Sequence, residues 1–228
     1  MEIKLSKSQL DILKEIETIG VGNAATGLAR MLNKRVDIKL PSVVVAKLEK
    51  VPGMLGGPEQ MVAAVYFQVV SKFSGSAMLL FPVEEALRIA EILLDRPKGS
   101  LAAFDELSAS SLKELGNIYL GSYLTSLFDF LKISFKYSVP SMATDMLQAV
   151  LDGMLIQMAL KAESAVVLDT EFSIEQEKIR GLFLFLPDPE GIKTILNSLS
   201  PARRAKNKRW RGHAFLCQNG VEYDRAQI

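Results

Sequence analysis

Apolar residues recur every third or fourth position at Leu10, Leu13, Ile16, Ile19, Leu28 and Leu32, and again at Leu112, Leu115, Ile118, Leu127 and Leu131. That period is the mark of an amphipathic helix, so each stretch predicts one long helix. Gly20 and Gly22 in the first, and Gly121 in the second, are where a bend or break is expected. Runs rich in β-branched and aromatic residues follow each helix and predict strands. In the first half these are Val36–Leu48, Met61–Ser71 and Gly75–Phe81; in the second, Ile133–Val139, Met154–Asp169 and Lys178–Leu186. Each half closes on a helical run behind a proline, Val83–Leu94 after Pro82 and Glu190–Leu199 after Pro189, where proline suits a helix start. Pro52, Gly53, Gly56, Gly57 and Pro58 predict a loop.

The two halves share more than their pattern. Shifted by 99 residues, Asp11–Ser42 aligns without a gap on Ser110–Ser141, with ten of 32 positions identical. Among them are Lys14/Lys113, Glu15/Glu114, Gly22/Gly121 and Pro41/Pro140. This reads as a tandem duplication. The expected fold is α+β: two helix-plus-strands units, about 5–97 and 104–200, sharing one mostly antiparallel sheet about a pseudo-twofold axis. Together they would make a single domain over residues 1–200.

Composition narrows the chemistry. Of 228 residues, 49% are apolar and 23% charged, an ordinary globular balance. No segment reaches the roughly 18 uninterrupted apolar residues of a membrane span. The N-terminal residues do not look like a signal peptide, and a single cysteine suits a reducing compartment, so a cytoplasmic location is expected. The only His (His213), Cys (Cys217) and Trp (Trp210) all follow Pro201. Residues 1–200 therefore lack imidazole and thiol, which excludes Ser-His-Asp and Cys-His catalysis and His or Cys metal sites there. No metal is expected on this chain. From Pro201 onward seven Lys/Arg stand against Glu222 and Asp224, so with a total of +1 the body carries four net negative charges.

One polar pattern recurs in both halves. Ser110, Glu114 and Asn117 are followed by Pro140, and Asp11, Glu15 and Thr18 by Pro41, at equal spacings. Positions i, i+4 and i+7 fall within about 60° around a helix, so each trio forms a narrow stripe. Leu112, Leu115 and Ile118 point elsewhere, toward the core. A single such stripe is ordinarily a solvated face. Its repetition, with the acid and the proline kept, points beyond that.

Asp/Ser-x-x-x-Glu-x-x-Asn with Pro at that distance resembles the signature of the CheC, CheX and FliY chemotaxis phosphatases. Ile19-Gly20-Val21-Gly22-Asn23-Ala24-Ala25-Thr26 resembles the family's first-helix sequence. The resemblance covers residues 1–200; two signature copies without a flagellar switch domain point to its CheC branch. It implies a phosphatase acting on the aspartyl phosphate of the response regulator CheY, with Mg2+ held by CheY and no cofactor of the enzyme's own. Asn117 would orient the attacking water, Glu114 would pair with the regulator's active-site lysine, and Ser110 would support them. Asp11, Glu15 and Thr18 form a degenerate second site, because Thr18 stands where the signature has Asn.

Two other readings accompany this one. The chain is alternatively a non-catalytic module that docks CheY or regulates the receptor deamidase CheD, a partner the resemblance also implies. A third reading is a structural component resembling the flagellar-switch middle domain, against which Glu114 and Asn117 argue. Residues 201–228 read as a basic, disordered tail without assigned function. Neither nucleic-acid binding nor membrane insertion is expected, and a monomer is.

Overall fold

The computed structural model describes residues 6–157 and 164–198. The basic tail therefore lies outside the described residues. Helix α1 (Lys7–Leu32) leads into strand β1 (Val36–Lys47), two short 3-10 turns over residues 48–54, and the hairpin β2 (Met61–Val70) and β3 (Ser74–Pro82). Helix α2 (Val83–Leu93) ends the first half. The second half runs α3 (Glu106–Leu131), β4 (Lys136–Tyr137), β5 (Ser141–Met146), α4 (Leu147–Gln157), β6 (Ser164–Ile174), β7 (Glu177–Pro187) and α5 (Pro189–Ser198).

All seven strands form one antiparallel sheet in the order β1-β6-β7-β3-β2-β4, with β5 also on β2. Exchanging the halves turns this order into its own reverse, which is an equivalence of topology. The hairpins meet at the centre, where β3 pairs with β7 from Gly75↔Pro187 to Leu80↔Leu182. Each half's leading strand lies against the other half's hairpin: β1 pairs with β6, and β4 and β5 pair with β2. The sheet thus interlocks the two halves.

The central strands β2, β3 and β7 are buried on both faces, which explains their nearly continuous apolar runs, whereas β1 alternates buried and exposed positions and β5 is largely exposed. On one face Ala63, Val65, Phe67, Leu79, Phe81, Phe183 and Phe185 pack with Ile12, Ile16, Leu112, Leu115 and Tyr119 of the long helices. On the other, Ala64, Met78, Leu80, Leu184 and Leu186 lie beneath Val51 and beneath Leu147, Val150, Leu151 and Met154 of α4. The result is three layers.

Besides the strand read over Ile133–Val139, which pairs only at Lys136–Tyr137 and gives way to β5 at Ser141–Met146, two features depart from expectation. The long helices are continuous, without a break at Gly20, Gly22 or Gly121. Close packing explains two of these glycines: a Cβ on Gly20 would lie 3.0 Å from the Tyr123 Cα, and one on Gly121 would lie 2.9 Å from the Tyr137 hydroxyl. A Cβ on Gly27 would reach Ile118 at 2.8 Å, so α1 and α3 run antiparallel in close contact. Secondly, residues 147–157, read partly as strand, form α4. Leu147, Val150, Leu151 and Met154 recur at helical spacing on its buried side, and a strand read from Met154 starts inside the last turns of this helix.

Candidate functional site

Helix α3 carries the second-half stripe and is held firmly at both ends. Asp105 caps its first turn: its carboxylate accepts from the Ser108 N–H at 2.7 Å, while the Ser108 hydroxyl accepts from the Asp105 N–H at 2.8 Å. The Ser108 hydroxyl, the Ser108 N–H and Arg96 hold the Asp105 carboxyl well below the usual carboxylate range. At the far end Lys132 takes the left-handed conformation (φ 57°), where the chain leaves the helix. Beneath the stripe, Leu112 and Leu115 are fully buried, and Ile118 is half-buried against the core.

The stripe faces outward. Ser110 and Glu114 are exposed, whereas Asn117 is half-buried. Its side-chain oxygen is shut off from solvent and has no hydrogen-bond partner among the described residues. Burying an acceptor without a partner costs about 1–3 kcal/mol. One turn further on, Gly121 closes the stripe under the Tyr137 ring. The amide therefore sits at the inner end of a surface that opens toward Glu114 and Ser110.

Beside this stripe lies a groove of about 570 Å3, lined by Ala109 and Lys113 of α3, Phe104 before it, Tyr66 of β2, and Pro140, Ser141, Met142 and Thr144. Pro140 stands where β4 gives way to β5. Lacking an N–H, proline interrupts the ladder, and the interruption shapes the groove wall. Pro41 has the matching place within β1, where the pairing with β6 shifts register between Lys39 and Ser42. Both prolines thus sit at breaks in their half's leading strand.

The first-half stripe is built differently. Asp11 and Thr18 are exposed and Glu15 is half-buried. The Thr18 hydroxyl donates to the Lys14 carbonyl at 2.7 Å, so it is spent on its own helix. The two stripes lie on antiparallel helices and remain separate. Among the described residues, no group of three or more His, Cys, Asp or Glu side chains gathers to hold a metal ion. No described helix is long and apolar enough to cross a membrane. Sequence reasoning missed the groove, although the signature residue Pro140 and the repeated Lys113 both line it.

The architecture is that of FliY and of the FliM middle domain. Thermotoga maritima FliY matches with a TM-score of 0.67 at 20% identity, over 86% of this chain and 98% of that one. The FliM middle domain of Helicobacter pylori matches at 0.61 and 15% identity, over 85% and 99%. These likenesses define the fold. The sequence then places the chain: the CheC-like family model matches residues 9–45, which span α1 and most of β1. Over 199 residues the chain is 30% identical to the CheY-P phosphatase CheC of Bacillus subtilis (strain 168), covering 86% of this chain and 95% of the relative. It is 34% identical over 124 residues to the flagellar motor switch phosphatase FliY of the same organism, spanning 54% of this chain and about a third of FliY. The chain belongs to the CheC-like family, among the CheC, CheX and FliY proteins of chemotaxis.

Proposed function

We propose that this chain hydrolyses the aspartyl phosphate of a CheY-type response regulator, and that α3 carries the working site. One observation carries the reading. A carboxamide oxygen without a partner is held on a rigid helix one turn from an exposed carboxylate. Relatives named as CheY-P phosphatases support the substrate.

An acyl phosphate needs little covalent help; it needs a water in line with the P–O bond and compensation of the developing charge. A carboxamide is too weak a base to remove a proton, but its oxygen accepts from a water and its NH2 donates. On docking, rotation of the Asn117 side chain would bring its oxygen, shut off from solvent in the free protein, to a water, whose oxygen attacks phosphorus while the bond to the aspartyl oxygen breaks, releasing phosphate and a free carboxylate. Glu114 would pair with a cationic side chain of the regulator, a charge-assisted contact that fixes the depth of docking. The divalent cation of this chemistry would belong to the regulator. The first-half stripe would dock without positioning water, since the Thr18 hydroxyl already serves the Lys14 carbonyl.

The test is phosphate release from CheY charged with acetyl phosphate. Asn117→Ala should lower the rate by about 10²-fold, the scale of a lost positioning group, while binding of phosphorylated CheY persists. Unchanged release by Asn117→Ala would remove the assignment. A wild-type chain that binds phosphorylated CheY and releases no phosphate would be a docking module instead.

A further inference from the structure

Lys113 is half-buried on the wall of the groove beside the stripe. It makes no ion pair or hydrogen bond with any described residue. Among the described residues lining the groove, it alone carries a charge; the others are aromatic, aliphatic or hydroxyl-bearing. Helical side chains lean toward the N-terminus, which carries the Lys113 stem over Ala109 and toward Phe104 rather than back across Asn117. On the helix it is next to Glu114, three residues after Ser110 and four before Asn117, so the groove borders the stripe. Lys14, its counterpart in the first half, is exposed.

A lysine that is partly desolvated without a counter-ion is poised to receive one. Taken with the proposed phosphatase reading, on which this inference rests, the chemistry of the incoming surface is constrained. Acyl-phosphate sites hold their divalent cation with carboxylates, so the rim of such a pocket is acidic. The body of this chain is itself net acidic and would repel that rim. We propose that the groove receives an acidic segment from the rim of the regulator's phosphoacceptor pocket, with Lys113 pairing to a carboxylate on it. Phe104, Pro140 and Met142 would cover the apolar flank of the segment. Lys113 is on this account a docking and specificity residue that never touches the reacting atoms.

Steady-state phosphate release over a range of CheY concentrations separates the possibilities. Lys113→Glu should raise KM at least tenfold and Lys113→Gln about threefold, with kcat kept within twofold in both. Lys113→Arg should restore KM, and the wild-type advantage should shrink in high salt as screening shortens. Ala109→Trp, which fills the groove and leaves the charge, should also raise KM. Matching thermal midpoints exclude unfolding as the cause. Unchanged KM in Lys113→Glu overturns the proposal, as does a fall in kcat at constant KM, which would put the ammonium on the phosphoryl group. If the wild-type chain releases no phosphate, the phosphatase reading fails separately. A titration of acetyl-phosphate-charged CheY against wild type and Lys113→Glu still reads the groove then, and equal or absent binding rejects it.

Discussion

The two long helices carry the same stripe, yet the side chain at its inner end meets opposite fates. Thr18 is exposed, and its hydroxyl is satisfied by the Lys14 carbonyl one turn back. Asn117 is half-buried, and its side-chain oxygen has no partner among the described residues. A short hydroxyl at that position folds onto its own helix, whereas an amide is long enough to stand clear of it. The donor of the first stripe is used within its own helix. The second keeps an acceptor that no described residue uses. Their surroundings differ too: Lys113 lines a groove, while Lys14 stands in solvent.

The sharpest way to break this comparison is to make the second stripe like the first. Asn117→Thr should lose phosphate release about 10²-fold, as fully as Asn117→Ala does, because the new hydroxyl would turn back to the Lys113 carbonyl. Retained activity would show that a hydroxyl folded back on its own helix does not by itself abolish phosphate release.

A smaller effect is expected from the seating of α3. A Cβ on Gly116 would lie 2.5 Å from one Val65 methyl carbon and 3.1 Å from the Val65 Cβ. Val65 is itself buried, so it cannot swing away. Replacing glycine by alanine inside a helix gains about 1 kcal/mol of propensity, but overpacking a tight core costs about 1–3 kcal/mol. Gly116→Ala should therefore destabilise by about 1 kcal/mol, read as a lower denaturant midpoint at unchanged slope. It should also lower phosphate release, since Asn117 is the next residue. A higher midpoint would mean that α3 has room to lift from the sheet.

The smallest expected change is a gain. Thr18→Asn supplies the missing amide to the first stripe, and if the stripes then became equal, phosphate release would about double, the limit for two independent sites. No increase would show that more than the amide separates them, the groove beside α3 being the first difference to pursue.

Much of this was legible before any coordinates. The helical period and the β-branched runs located both long helices, the β2–β3 hairpin, β7 and both closing helices within a few residues, but the strand read over Met154–Asp169 begins only at Ser164 and runs to Ile174 as β6. The stripe at Ser110, Glu114 and Asn117 followed from helix geometry. The errors have physical causes. Gly20 and Gly121 read as weak points because glycine is flexible, whereas packing against Tyr123 and Tyr137 put them where nothing larger fits. Helix α4 did carry the signal, since Leu147, Val150, Leu151 and Met154 recur at helical spacing with Gln148 and Asp152 exposed opposite them, but a strand read from Met154 onward caught only its last turn.

Local chemistry determined which residues share a helix face, because 3.6 residues per turn is a property of the backbone and needs no neighbours. It also settled that residues 1–200 must work without imidazole or thiol. Tertiary structure alone decided what surrounds that face. The strand exchange that locks the halves, the burial of one amide oxygen and the groove around Lys113 all depend on segments far apart in the chain. Such contacts come from the packing of distant elements, and no local pattern encodes them.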